Sequence, residues 1–113
     1  MHCIVVAPRN LRITPRQSSY QPGDRILCSA EGNPEPLYQW TDLDNGTVIE
    51  GDVLIITEDM VGKDQRFQCT ATNSYNGMSY SNSTIIEFFG KRETHSAQTT
   101  VCKQQSLFLL VNC

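Results

Sequence analysis

The strongest constraint in this sequence is a pair of alternating segments that each carry a cysteine among apolar residues. Residues 26–30 read ILCSA and residues 67–72 read FQCTAT, so Cys28 and Cys69 each share a face with apolar neighbours. A period of two with one apolar face is typical of a half-buried β-strand. Two such strands that face each other across a sandwich about 10 Å thick place their cysteines where they could be bridged. Trp40, which lies between them in the sequence, would pack on that bridge.

Two further segments follow a strand pattern. Residues 37–41 place Tyr38 and Trp40 on one face, and residues 53–57 form a short β-branched apolar run. The whole region resembles strands B, C, E and F of an immunoglobulin-superfamily domain of the I-set or C2 kind. The residues that carry this resemblance are Cys28-x-Ala30-x-Gly32-x-Pro34-x-Pro36-x-Tyr38-x-Trp40 for strands B and C, Leu54-x-Ile56 for strand E, and Phe67-x-Cys69-x-Ala71-x-Asn73 for strand F.

The resemblance implies an all-β fold, an immunoglobulin-like Greek-key β-sandwich of about seven antiparallel strands in two sheets. It also implies a disulfide between Cys28 and Cys69. The core is expected to contain Trp40, Leu54, Ile56 and Phe67.

The domain boundaries follow from where the alternation begins and ends. Strand G is expected over about residues 78–88, with Ile86 and Phe88 inward, and from Lys91 onward the sequence loses its periodicity. We therefore expect an N-terminal extension that ends a preceding unit, an immunoglobulin-like domain, and a disordered or non-native tail, over residues 1–7, 8–90 and 91–113 respectively.

Turn signals and one short interval refine this scheme. The pairs Asn45-Gly46 and Asn76-Gly77 predict hairpin turns. Only 13 residues separate Trp40 from Leu54, which predicts an abbreviated strand C′ or D and no strand C″. Phe67 stands where the resemblance leads us to expect a tyrosine, so the bond from that hydroxyl to the backbone is lost.

Composition and charge exclude several classes of function. The net charge of −3 is spread without blocks, which argues against a nucleic-acid or anionic-membrane surface. The apolar run at residues 106–111 is too short to span a bilayer. The N-terminus lacks the basic leader of a signal peptide, so we expect the signal and any anchor to belong to a longer parent chain.

Catalytic and metal sites are not indicated. The two histidines, His2 and His95, lie in the expected tails, so a Ser-His-Asp arrangement would require one of them to fold back onto the domain. The segment from Asp42 to Val53 resembles the start of a calcium loop, but its glycine falls early and Val53 replaces the final glutamate. We expect no cofactor and no bound metal.

The cysteine count is odd. Cys3, Cys102 and Cys113 lie in the expected tails, so at least one of the five cysteines cannot pair within a monomer. Their roles stay open at this stage.

Two further features are candidate sites. Asn45 and Asn82 begin N-x-T patterns that fit N-glycosylation. The tip of the expected F–G turn, Tyr75-Asn76-Gly77, is a candidate binding loop because aromatic residues on such loops are favoured contact residues.

The resemblance implies a non-enzymatic extracellular recognition or adhesion module that binds another protein as part of a larger cell-surface receptor. Whether binding is homophilic or heterophilic is left open. The alternatives are a spacer domain in a tandem array, for which a reducing compartment would leave the cysteines as thiols, and an accessory domain of a receptor enzyme.

Overall fold

The computed structural model describes residues 4–92. The predictions about Cys3, Cys102, Cys113 and the two histidines therefore lie outside the described residues. The strands are β1 (Val6–Thr14), β2 (Ser19–Tyr20), β3 (Arg25–Asn33), β4 (Leu37–Asp42), β5 (Val48–Glu50), β6 (Val53–Ile55), β7 (Asp64–Tyr75) and β8 (Met78–Gly90). One turn of 3-10 helix, Glu58–Met60, lies between β6 and β7.

The strands form two packed sheets. The small sheet has the order β1-β3-β6, and the large sheet has the order β2-β8-β7-β4-β5. Neighbouring strands are antiparallel except β2 and β8, which run parallel. The predicted all-β, immunoglobulin-like sandwich is confirmed. About seven strands were expected, and the described residues also form the two-residue strand β2.

The first strand begins before residue 8, where the domain was expected to start. Strand β1 begins at Val6, which pairs with Asn33, so part of the segment expected to be an extension belongs to the small sheet. The strand ends at Thr14 because Pro15 has no N–H group to continue a ladder. The chain then crosses to the large sheet, where Ser19 pairs with Phe89.

The chain between β4 and β6 forms only one short strand, as the 13 residues between Trp40 and Leu54 predicted. Strand β5 is three residues long, and Gly51 and Asp52 alone connect it to β6. Gly51 has a φ of 112°, a left-handed conformation that favours glycine. This tight connection takes the chain directly from the edge of the large sheet to the edge of the small sheet.

A disulfide joins the two sheets through the core. It links Cys28 of β3 to Cys69 of β7, with Cα atoms 6.5 Å apart. Trp40 is the cross-strand neighbour of Cys69 and is fully buried, and its indole Nε1 donates to the Asp52 carbonyl oxygen at 3.0 Å. The other expected core residues, Leu54, Ile56 and Phe67, are at most 2% exposed, and Ile86 and Phe88 face the same core.

The two Asn-Gly pairs form turns of different lengths. Asn76 and Gly77 have φ values of 55° and 81°, so two left-handed residues connect Tyr75 directly to Met78. In the other hairpin, the Asp42 amide donates to the Thr47 carbonyl at 2.8 Å, which gives a longer loop. There only Gly46 is left-handed, and the Asn45 side chain accepts a bond from the Thr47 amide at 2.8 Å.

Candidate recognition surface

The outer face of the large sheet carries a field of uncharged side chains. Because side chains alternate along a strand, the neighbours of the buried residues on β4, β7 and β8 point away from the core. Three cross-strand rows result. We call these nine residues the uncharged face: Leu37, Thr72 and Ser81; Gln39, Thr70 and Ser83; and Thr41, Gln68 and Ile85.

Hydrogen bonds fix part of this face. The Gln68 amide Nε2 donates to the Ser83 hydroxyl at 2.8 Å, which joins β7 to β8 through their outward side chains. At its border, Arg16 donates to the Ile85 carbonyl oxygen at 3.1 Å. Some of the polar groups of the uncharged face are therefore held in place by hydrogen bonds.

Charged residues lie only around the border of the uncharged face. In the next row of the sheet, Arg66 of β7 lies opposite Glu87 of β8. Glu50 of the edge strand β5 lies opposite Gln39. The nine enclosed residues carry no formal charge, so a partner could cover them without desolvating an ion.

Leu37 is the most exposed large apolar side chain of the described residues, at 79%. It begins β4 and follows Pro36, so it stands at one end of the uncharged face. Sequence reasoning did not select Leu37 as a functional residue. The alternation that places Trp40 inward on β4 also places Leu37 outward, so the outward position of Leu37 could have been predicted from the sequence.

The predicted binding loop lies at the same end of the large sheet. The ladder pairs Leu37 with Thr72, three residues before Tyr75, or about 10 Å along the strand. Tyr75 is 44% exposed, and Asn76 and Gly77 form the turn. Tyr75 follows the buried residues of β7 at the same two-residue spacing, so it lies on the inner side of the sheet. Leu37 faces the outer side, so this end presents apolar groups on both sides of the sheet.

The two glycosylation candidates occupy different environments. Asn45 lies on the exposed β4–β5 loop, where its side-chain oxygen is engaged and its amide nitrogen makes no hydrogen bond with the described residues. The Asn82 nitrogen instead donates to the Pro8 carbonyl of β1 at 3.3 Å. Because the glycan is attached through this nitrogen, Asn45 is the less hindered acceptor.

Two sheets joined through buried cysteines, with a buried tryptophan beside the bridge, place the described residues in the immunoglobulin-like fold class. The chain is similar to neurofascin of Gallus gallus, with 32% identity over 79 residues that cover 60% of this chain and 5% of that protein. It is also similar to neuronal cell adhesion molecule of Mus musculus, with 32% identity over 82 residues that cover 63% of this chain and 6% of that protein.

A solved structure supports the same class. The amphioxus IgVJ-C2 molecule matches with a TM-score of 0.60 and 25% identity over 76% of this chain and 46% of that one. No family model matches the sequence. The chain matches only about one-twentieth of the length of neurofascin and of neuronal cell adhesion molecule. Between residues 4 and 92, no helix has the length and apolar character needed to cross a membrane.

Proposed function

We propose that this chain is a non-enzymatic recognition module that binds another protein at the cell surface as part of a larger receptor. The uncharged face carries this proposal. The cores of protein interfaces are depleted in charged residues, and this face has nine uncharged side chains, which include the exposed apolar Leu37 and Ile85. Neuronal cell adhesion molecule, by its name, acts in cell adhesion, which supports the same class of function.

The disulfide supports an extracellular location for the module. Disulfides persist in oxidising compartments and are rare in the cytosol, where thiols are kept reduced. A bridge that joins the two sheets through the core would contribute to stability only where it stays oxidised.

A single domain that binds through this face alone would have modest affinity for its partner. Repeated presentation on a membrane raises the avidity because the second and later contacts become effectively intramolecular. The module would then hold cells together through many weak contacts, and each partner would be a protein, either a second copy of this chain or a different surface protein.

A bead assay tests the proposal and separates these two modes. Beads that carry the full chain at high density are mixed alone and with cultured neurons. Clustering of beads with each other reports homophilic binding. Attachment to neurons that is lost after protease treatment of the cells reports a protein partner of a different kind.

The spacer alternative predicts no binding above that of beads with an unrelated domain of the same class. Beads that neither cluster nor attach would refute the recognition proposal. Reduced and alkylated chain provides a folding control, since loss of the bridge should abolish any specific binding.

A further inference from the structure

A cavity of about 470 Å³ opens between the sheets at the end opposite the β7–β8 turn. It exists because β5 connects to β6 through only two residues, so the described chain has no strand to cover the inner side of β4 and β5 there. Its walls include the apolar side chains of Ile49, Met60 and Phe67. The volume lies within the range of about 300–1,000 Å³ typical of small-ligand sites.

Carboxylates surround the mouth of this cavity. Four aspartates line it, and the single cation among the lining residues is Lys63. The Asp44 carboxylate lies 3.6 Å from the guanidinium Nε of Arg66, whereas the other three make no ion pair with the described residues. The four are Asp42, Asp44, Asp59 and Asp64.

Gln65 adds a polar group to the cavity wall. It is 8% exposed, and its amide makes no hydrogen bond with any residue from 4 to 92. In the described part of the chain the buried side-chain polar atom without a partner is Oδ1 of Asn73, so the Gln65 amide remains open to water from the cavity. A ligand that displaces this water and donates to the Gln65 oxygen would replace its hydrogen bond.

These features together select a cation on an aliphatic stem. The apolar walls suit a chain of methylene groups, as in the partly buried stems of long basic side chains. The carboxylates and the Gln65 oxygen are all acceptors, and a guanidinium presents five donors in a planar fork that matches carboxylates.

We propose that this cavity binds an arginine side chain presented by a partner protein. The stem would lie against Ile49 and Met60, and the guanidinium would reach the carboxylates and Gln65. This site lies at the opposite end of the domain from Leu37, so its occupancy does not depend on the uncharged face. It would give the module a second point of contact.

The test is a titration of the full, isotope-labelled chain with the blocked peptide acetyl-Gly-Arg-Gly-amide, followed by NMR. We expect saturable shifts at the backbone of the lining residues and at the side-chain NH₂ resonance of Gln65. The matched peptide with citrulline, which has the same shape without the charge, should produce no saturable shifts. Equal shifts with both peptides, or none with either, would overturn the proposal.

Charge variants with opposite expected effects sharpen the test. Asp42→Asn with Asp64→Asn should weaken binding by about tenfold, and Lys63→Gln should strengthen it by about threefold. Glu35→Gln removes an exposed charge on the β3–β4 connection and should leave the affinity unchanged. If the double variant fails to fold, the exposed Lys63→Gln and the citrulline comparison still decide the outcome.

Two further outcomes would contradict the proposal. One is an affinity that does not respond to Lys63→Gln. The other is a set of shifts reproduced by Ca²⁺ alone, which would assign the cavity to a metal ion. The bead assay does not measure this titration, so failure of the cavity and failure of the adhesion proposal are distinguishable.

Discussion

The Tyr20 hydroxyl donates a hydrogen bond to the carbonyl oxygen of Pro15 and accepts one from the Gln17 amide at 2.9 Å. Both partners lie on the segment that carries the chain from the small sheet to the large sheet. The Tyr20 ring packs edge-on against Phe88 with centroids 5.0 Å apart, and Phe67 stacks on the same Phe88 at 6.0 Å. A tyrosine hydroxyl therefore secures the backbone beside this aromatic cluster, although Phe67 itself lacks one.

Tyr20→Phe should lower the free energy of unfolding by about 1 kcal/mol through the lost hydrogen bonds. It should also change the alkaline pH dependence. Burial raises the pKa of Tyr20 above its ordinary value of 10.0, against smaller lowering effects from Gln17 and Arg16. The folded state then keeps the proton where the unfolded state loses it, so this stability is complete below about pH 10 and falls above it.

Urea unfolding between about pH 8 and pH 11 measures both effects. The variant should start lower and decline less steeply than the original chain as the pH rises. Parallel declines in the two proteins would show that Tyr20 titrates alike in the folded and unfolded states, contrary to its burial.

Removal of the inter-sheet bridge should cost the most stability. Cys28→Ala with Cys69→Ala opens a loop of about 40 residues, which in the chain-entropy account is worth roughly 4 kcal/mol. The control is the triple change of Cys3, Cys102 and Cys113 to serine, for which we expect little change in the urea midpoint. A comparable loss in the control would place stabilising bridges elsewhere in the chain.

Glycosylation should distinguish the two acceptors. In a secretory expression system with a supplied signal peptide, Asn45 should carry a glycan because its amide nitrogen makes no hydrogen bond with the described residues. Asn82 should be occupied less, since its nitrogen bonds to Pro8. Asn45→Gln should remove most of the shift in mobility caused by glycosidase treatment, with Asn82→Gln as the matched control. The reverse pattern would mean that strand β8 separates from β1 during processing.

The C-terminal boundary can be tested by truncation. The Lys91 amide donates to the Tyr20 carbonyl at 2.9 Å, so we propose that the folded unit extends to about this residue. A chain that ends at Arg92 should keep the melting temperature of the full chain. A chain that ends at Phe89 should melt several degrees lower, because Gly90 and Lys91 supply ladder bonds. A large loss already at Arg92 would show that residues 93–113 stabilise the sandwich.

The sequence predicted the parts of the fold that depend on alternation. The period-two pattern around Cys28, Trp40 and Cys69 is local and has a strong apolar side, so it specified which residues face the core. The crossing from the small sheet to the large sheet between Thr14 and Ser19 was not predicted, because the partner of Ser19 lies far away on β8. Local patterns do not encode such distant pairings.

The candidate sites were harder to predict for the same reason. The turn residues Asn76 and Gly77 were identified by their backbone preferences. The uncharged face depends on the register of β4 against the β7–β8 hairpin, from which β4 is distant in the sequence. The cavity depends on which strands leave its mouth uncovered. Leu37 was visible as an outward residue, but its significance depends on the neighbours that β7 and β8 bring beside it.

The measurement that tests the recognition account most directly compares two charge insertions in the bead assay. Leu37→Asp places a carboxylate on the uncharged face, and Leu27→Asp places one on the 41% exposed Leu27 of β3 in the small sheet. We predict that Leu37→Asp reduces binding at least about tenfold while Leu27→Asp leaves it near the original level. Equal binding by the original chain and the Leu37 variant, with both folded, would contradict the assignment of this face as the binding surface.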